Sequence, residues 1–307
     1  MTAWSEELAR ELGRRALDSI GLGRAAMTLL KFGAIATFRV HDPARFLKVG
    51  DPGFRSAQPV LERSLELSAW LAGERFPVAG AAAEGSARPI AVDGGWAGLW
   101  SWEEHREVRP DPARTGDLLR RLHELLSESP VALPELDHFD AARRHTEALA
   151  RKGALDDAEV RFLIGRVEGM EEDWIAFRSE LGTGAIHGDF EVANVLTTDR
   201  GPVLIDFDNA QVGPREWDLV KAAPGSAGGW RGEEWAAFAE GYGYDVLATP
   251  GTAVLREVRH LRSLVWMLGD PRYVERFARG RQLLGAWMRE PGKRCFELEW
   301  LAPGGSG

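Results

Sequence analysis

Apolar positions in the first third of the chain alternate between helical and extended spacing. Residues 5–20 keep the spacing of an amphipathic helix, which the Gly-Leu-Gly at 21–23 ends. A second helix opens at Gln58-Pro59 and reaches about Leu71. Extended apolar runs predict strands at 27–32, 34–40, 45–49, 89–92 and 96–102. The order of these elements predicts a mixed sheet with one helix packed on it.

Beyond Glu104 the apolar spacing becomes mainly helical. Helices are predicted at 115–127, 157–181 and 254–265. The glycines at 182 and 184 stop the second of these, and the strand pair NVLTT and VLIDF follows around a tight turn at 199–202. The change in pattern predicts two units, an N-terminal lobe at 1–103 and a C-terminal lobe at 104–307.

Composition narrows the classes of partner. The chain has 307 residues and a formal net charge of -9, which argues against nonspecific nucleic-acid binding because that needs a basic face. Its only cysteine, Cys295, excludes an internal disulfide framework. No apolar run reaches membrane-spanning length and no signal-peptide core follows the N-terminus. We therefore expect a cytoplasmic protein, monomer or homodimer, with neither nucleic acid nor membrane as partner.

The segment from His187 to Asp206 carries the groups that phosphoryl transfer requires. Asp189 and Asn194 lie five residues apart before a strand, and Asp206 ends the neighbouring strand, so a hairpin brings them together. A carboxylate can orient an acceptor hydroxyl and take its proton, while carboxylate and amide oxygens suit Mg²⁺. Each residue alone is common in turns and caps. Their joint spacing predicts a phosphoryl-transfer centre.

This segment resembles the Brenner motif of the aminoglycoside phosphotransferase and choline kinase superfamily. The resemblance implies an α+β, bilobal protein-kinase-like fold, with a small antiparallel-sheet lobe that binds nucleotide and a larger, mainly helical lobe. It implies that Asp189 is the catalytic base and that His187 braces the catalytic loop. It also makes Asn194 and Asp206 the Mg²⁺ ligands.

The resemblance extends from about residue 27 to 290 and is most specific at 185–220. The run GPREWDL at 213–219 is similar to the family's G-x-x-x-W/Y-D-L element, in which Asp218 supports the catalytic loop. Gly188 stands where protein kinases have the arginine of H-R-D. Only eleven residues separate Asp206 from Asp218, which leaves no room for a long activation loop. A small acceptor is therefore favoured over a protein.

The same resemblance assigns the nucleotide groups. Gly33 lies at the turn that would cover the phosphates, and Lys48 matches the lysine that meets them. That lysine should pair with a glutamate on the following helix, where Glu62 and Glu66 are both candidates and Glu62 is preferred. Relatives with a similar helix end often have this glutamate at the position of Ser64 here.

The interlobe linker around Trp100 and Trp102 would read the purine through its backbone. The two indole rings could flank the base of ATP or GTP, or could equally pack between the lobes. Side chains there do not separate ATP from GTP.

The acceptor would bind between the catalytic loop and the C-terminal helices. Acidic and aromatic candidates are Glu191, Asp208, Trp230, Glu233, Glu234, Trp266, Asp270 and Tyr273. The resemblance favours an antibiotic O-phosphotransferase of actinobacterial type that confers resistance. A metabolic kinase of sugars, amino alcohols or nucleosides is the alternative, and a nucleotide-binding pseudoenzyme is a third reading, which the complete set of Asp189, Asn194 and Asp206 disfavours.

Overall fold

The computed structural model describes residues 4–85, 87–137, 139–226, 228–269 and 274–297. The N-terminal lobe consists of α1 (Glu6–Ser19), β1 (Met27–Lys31), β2 (Ile35–Val40), β3 (Arg45–Gly50), α2 (Ala57–Gly73), β4 (Ile90–Val92) and β5 (Gly95–Ser101). The C-terminal lobe consists of α3 (Pro112–Leu126), α4 (Phe139–Arg151), α5 (Asp157–Ala176), β6 (Thr183–Ile186), β7 (Val195–Thr198), β8 (Gly201–Leu204), β9 (Gln211–Pro214), α6 (Glu216–Ala222), α7 (Gly232–Tyr242), α8 (Ala253–Leu268) and α9 (Val274–Arg289). Both lobes match the α+β, two-lobed fold that the sequence predicts.

The N-terminal sheet has the strand order β1-β2-β3-β5-β4, and every pair in it is antiparallel. The mixed sheet predicted from the order of elements is therefore wrong, and the antiparallel sheet that the family resemblance implies is confirmed. After α2 the chain returns to the sheet before β4 begins. The strands β4 and β5 then form a hairpin, which places β5 antiparallel beside β3.

Two helices, not one, cover this sheet. Helix α1 packs its buried Leu12 and Leu17 in one cluster with Leu47 and Val49 of β3. Helix α2 packs Leu61 and Leu65 against the other side, near Phe46 of β3. Because side chains alternate along a strand, Lys48 shares the face of Phe46 and points to the side that α2 covers.

The core of the C-terminal lobe extends into the N-terminal lobe. Leu67 and Leu71 of α2 belong to the same buried cluster as Leu118 of α3 and Leu264 of α8. Backbone hydrogen bonds also join Pro77 and Ala79 to Leu204 at the end of β8. These contacts fix α2 and β8 against each other at the back of the interlobe cleft.

Helix α5 ends five residues earlier than its apolar spacing predicts. The spacing continues to Leu181, but the helix stops at Ala176. The amides of Glu180 and Leu181 donate instead to the carboxylate of Glu216, at 2.7 and 3.0 Å. This buried carboxylate competes with the helix for those donors. None of the described helices is long and apolar enough to cross a membrane.

Candidate active site

A cleft of about 900 Å³ lies between the lobes. Its N-terminal wall includes Gly33 and Lys48, and its C-terminal wall includes Asp189, Asn194 and Asp206. The fold therefore gathers five residues that the sequence assigns to phosphoryl transfer.

Asp218 holds the catalytic loop by its backbone. Its two carboxylate oxygens accept hydrogen bonds from the amides of His187 and Gly188, both at 2.8 Å. The ring of His123 also lies 3.0 Å from Asp218 and 2.9 Å from the hydroxyl of Tyr242. Asp218 is fully buried, so this network replaces the water that the carboxylate loses on folding. His123 therefore helps to orient Asp218.

His187 lies in the centre of the loop and is also fully buried. Its Nδ1 accepts from the amide of Asp189 at 3.3 Å, and its Nε2 donates to the carbonyl of Ile205 at 3.1 Å. This pattern requires the proton on Nε2. His187 thereby connects the loop carrying Asp189 to the end of β8, which carries Asp206.

The structure gives a steric reason for the glycine at position 188. Gly188 has a φ of +81°, and a Cβ atom there would lie 1.9 Å from the carbonyl oxygen of Asn209. The Gly188 carbonyl accepts from the indole of Trp217 at 3.2 Å and from Arg259 at 3.1 Å. No side chain, and so no H-R-D arginine, fits at this position.

Asp189 reaches the cleft with two cationic neighbours that sequence reasoning missed. Arg259 of α8 donates to its Oδ1, and the Lys221 ammonium lies 3.5 Å from the same oxygen. Burial raises the pKa of Asp189, but the charges of Arg259 and Lys221 outweigh this effect, so the net shift is downward. Asp189 is therefore ionised at neutral pH, as a group that accepts a proton must be.

Asn194 and Asp206 present oxygen ligands beside Asp189. The Asn194 amide nitrogen donates to the carbonyl of Asp189 at 2.9 Å, and this fixes the side chain. Asp206 adopts a left-handed backbone conformation, with φ of 70°, that turns it out of β8 into the cleft. Burial raises the pKa of Asp206, yet its pairing with Lys48 lowers the pKa to about 2. An ionised carboxylate and a fixed amide oxygen at one point fit a hard divalent cation.

Lys48 does not pair with a glutamate of α2, and this corrects the sequence prediction. Its ammonium lies 2.6 Å from Asp206 and 2.7 Å from Asp208. Glu62 is half-buried and Glu66 is exposed, and neither contacts Lys48.

Ser64 occupies the buried α2 position that faces this cluster, beside Asp208. Burial raises the pKa of Asp208, against the lowering effect of Lys48. Because α2 has only the short hydroxyl of Ser64 at this position, it supplies no carboxylate to Lys48. The second carboxylate that pairs with Lys48 is Asp208, in the loop after β8. Asp208 therefore lies beside Lys48 and Asp206 and not among the C-terminal helices, where the acceptor is predicted to bind.

We expect Asp208→Asn to raise the KM for nucleotide about tenfold, since Lys48 loses one charged hydrogen bond that holds it in place. Glu62→Gln serves as the matched control and should leave this KM within about twofold, because the lost charge contributes little at a half-exposed site. Steady-state kinetics on both variants check the prediction. A larger rise in the nucleotide KM for Glu62→Gln than for Asp208→Asn would restore Glu62 as the partner of Lys48.

The Gly33 turn is tied to the N-terminal helix. The Trp4 indole donates to the carbonyl of Gly33 at 2.7 Å, and its ring stacks on Phe32 at 5.7 Å between centroids. Trp4 also lines the cleft. The turn lies over the cleft as predicted, but its attachment to Trp4 had no sequence signal.

Neither linker tryptophan is among the described residues that line the cleft. Trp100 is buried, and its indole donates to the hydroxyl of Ser68 on α2 at 3.2 Å. Arg39 stacks on Trp102 at 4.3 Å. The prediction that these rings flank the base is therefore corrected in favour of packing, because their faces are already occupied.

The predicted acceptor residues divide into three groups. Glu191 lines the cleft and pairs with Lys221 at 2.7 Å, and Trp266 lines it with 61% of its surface exposed. Trp230 is buried against Phe238, so its predicted contact with the acceptor is wrong. Glu233, which is exposed, and Glu234, which pairs with Arg109 at 2.6 Å, are likewise not among the described residues that line the cleft. Asp270 and Tyr273 lie outside the described residues.

Solved structures share this fold over most of their length at low sequence identity. An amicoumacin kinase in complex with AMP-PNP, Ca²⁺ and its ligand matches with a TM-score of 0.67 and 13% identity, covering 88% of this chain and 89% of that one. A microcompartment-associated aminopropanol kinase matches with a TM-score of 0.64 and 20% identity, covering 93% of this chain and 99% of that one. Choline kinase from Cryptosporidium parvum Iowa II matches with a TM-score of 0.56 and 11% identity, covering 96% of this chain and 99% of that one. These likenesses show the fold.

No curated protein sequence matches the chain significantly. The sequence profile of the phosphotransferase enzyme family matches residues 27–258, which is most of the chain and includes Lys48 and the segment from Asp189 to Asp206. This match confirms the prediction of a small-molecule phosphotransferase. The chain belongs to the phosphotransferase enzyme family.

Proposed function

We propose that this protein transfers the γ-phosphoryl group of ATP or GTP to a hydroxyl of a small molecule. The observation that carries the proposal is the convergence of Asp189, Asn194, Asp206 and Lys48 on one cleft. The acceptor oxygen forms a bond to the γ-phosphorus while the bond to the β–γ bridging oxygen breaks. The hydroxyl proton passes to Asp189, and the nucleoside diphosphate leaves.

Each group has a role that its environment supports. Asp189 orients the acceptor hydroxyl and takes its proton, and Arg259 keeps its carboxylate in place. Lys48 binds the nucleotide phosphates at the point where Asp206 and Asp208 now hold it. Asn194 and Asp206 would hold Mg²⁺, which neutralises charge on the phosphates.

An antibiotic inactivated by phosphorylation is the acceptor class that we propose first, and a metabolite is the second. The antibiotic class is supported by the amicoumacin kinase, which shares this fold. The metabolite class is supported by the aminopropanol kinase, which shares it too. The pseudoenzyme reading has less support, since no member of the catalytic set is replaced.

A panel of hydroxyl compounds from both classes tests the proposal, with nucleotide turnover and phosphorylated product measured together. We expect product from at least one compound, and turnover that depends on it. Tight nucleotide binding with no product across the panel would contradict the proposed function and favour the pseudoenzyme.

A further inference from the structure

One large aromatic ring of the C-terminal wall is open to the cleft. Trp266 of α8 lines the cleft with 61% of its surface exposed, together with Val265 of the same helix and Leu149 of α4. A single exposed apolar side chain is common at a protein surface and needs no special explanation. Inside a concave site, in contrast, open apolar surface is what a small-molecule ligand covers when it binds.

The N-terminal wall adds a second apolar surface to the same cleft. Trp4, just before α1, lines the cleft with Leu30 of β1 and with Phe32. The Trp4 ring stacks on Phe32 with 5.7 Å between centroids, and its indole nitrogen donates to the carbonyl of Gly33 at 2.7 Å. That nitrogen is the only polar atom of the side chain, so the surface that Trp4 presents to the cleft is apolar. Leu30 is 50% exposed.

The start of α1 fixes the position of Trp4. Ser5 caps this helix by accepting from the amide of Leu8 at 3.2 Å, and Arg10 donates to the carbonyl of Met27 in β1 at 3.0 Å. Trp4 is therefore attached to the N-terminal sheet through the helix as well as through Gly33. Its ring is part of the wall of the cleft.

Both tryptophans lie outside the part of the chain that the family profile matches. The profile spans residues 27–258, whereas Trp4 precedes it and Trp266 follows it. The phosphoryl-transfer residues Asp189, Asn194 and Asp206 lie inside it. Membership of the family therefore accounts for the reaction and not for these two rings, which come from opposite ends of the chain and line one cavity of about 900 Å³.

Aromatic rings also attract cations, but this cleft favours an uncharged body. Arg276 already stacks on Trp266 at 4.2 Å. Among the described residues, none of the acidic side chains of α4, α8 and α9 lines the cleft, and Glu191 is paired with Lys221 at 2.7 Å. A cationic acceptor would find no counter-charge on the C-terminal wall, whereas an apolar one needs none.

We propose that the acceptor has an apolar body, an aromatic ring system or a hydrocarbon chain, that binds against Trp266 on one wall and Trp4 on the other. This inference rests on the proposed function and specifies its substrate class. Asp189 lines the same cleft, so the acceptor presents its hydroxyl there while its body covers the rings. The apolar surface removed from water supplies binding free energy away from the reacting atoms.

A three-part acceptor panel tests the inference. The first part contains aryl alcohols, nucleosides and long-chain aliphatic alcohols, the second sugars and sugar phosphates, and the third aminoglycosides and amino alcohols. We expect a kcat/KM at least tenfold higher in the first part, whose aromatic and aliphatic members identify the preferred body. An equal or higher kcat/KM in the second or third part would overturn the inference and leave the proposed function intact. No transfer to any compound would refute both.

Variants of the two rings give a second readout. Trp266→Ala should raise the KM for the preferred acceptor about tenfold and leave the KM for nucleotide unchanged, because only the stacking surface is lost. Trp4→Ala should raise both KM values, since it also removes the hydrogen bond to Gly33. Trp4→Phe separates the two effects. It keeps a ring against Phe32, so the acceptor KM should stay within about threefold while the nucleotide KM still rises.

The matched control is Ile175→Ala on α5, an apolar side chain that is 74% exposed and is not among the described residues that line the cleft. Its acceptor KM should equal that of the parent protein. Calorimetry should give a negative heat-capacity change on acceptor binding that is smaller in Trp266→Ala, as burial of apolar surface requires. An acceptor KM that is insensitive to both Trp266→Ala and Trp4→Ala would contradict the inference even if apolar alcohols are phosphorylated.

Discussion

Asp189→Asn is expected to lower kcat about 10³-fold, because the variant can no longer take the acceptor proton as the new bond forms. The amide keeps the shape of the side chain, and Lys48, Asn194 and Asp206 are untouched. Nucleotide affinity should therefore stay within about threefold of the parent value, since Asn194 bonds to the backbone carbonyl of Asp189, which the substitution retains. Single-turnover kinetics and a nucleotide titration measure the two effects separately.

The matched control is Asp199→Asn, at a carboxylate in the β7–β8 turn that is 96% exposed. It should be as active as the parent protein. Because Asp189→Asn removes the carboxylate that pairs with Arg259, while Lys221 keeps Glu191 at 2.7 Å, the thermal stability of the variant is measured as well. A folded Asp189→Asn protein with near-normal kcat would show that another group accepts the proton.

Asp206→Asn is expected to reduce kcat/KM by about 100-fold or more, since a metal that neutralises phosphate charge supplies several kcal/mol of transition-state stabilisation. Unlike the change at Asp189, this one should also weaken nucleotide binding and shift the Mg²⁺ dependence of the rate to higher concentration. A Mg²⁺ titration at saturating acceptor measures the shift. The exposed Asp140 provides the control as Asp140→Asn. An unchanged Mg²⁺ midpoint in Asp206→Asn would remove Asp206 from the metal site.

The elements of regular structure were predictable wherever one apolar face is buried. The stripe from Val254 to Val265 indicated α8, and the alternating runs indicated the strands of the N-terminal sheet. The end of α5 was not predictable, because it depends on Glu216, which lies about 40 residues further along the chain. The order of elements did not predict the all-antiparallel sheet, which the family resemblance implied, since strand direction depends on how the chain returns to β4.

The candidate site was predictable where its residues are close in sequence. His187, Asp189, Asn194 and Asp206 lie within 20 residues, so their spacing alone indicated a common location. Their partners come from distant elements and leave no local pattern. Arg259 meets Asp189 from 70 residues away, and Lys48 meets Asp206 from 158 residues away. The predicted pairing of Lys48 with a glutamate on α2 was wrong for a related reason. Asp208, in the loop after β8, supplies the carboxylate instead.

The crowded backbone at Gly188 restricts how this enzyme could be controlled. An arginine at this position is what allows a phosphorylated loop elsewhere to switch a kinase on through a charge pair. With Asn209 only 1.9 Å from any added carbon, substitution cannot introduce that arginine without rebuilding two loops. The catalytic loop is therefore held in shape by Asp218 and Trp217, which need no modification, and not by a charge pair that phosphorylation could switch.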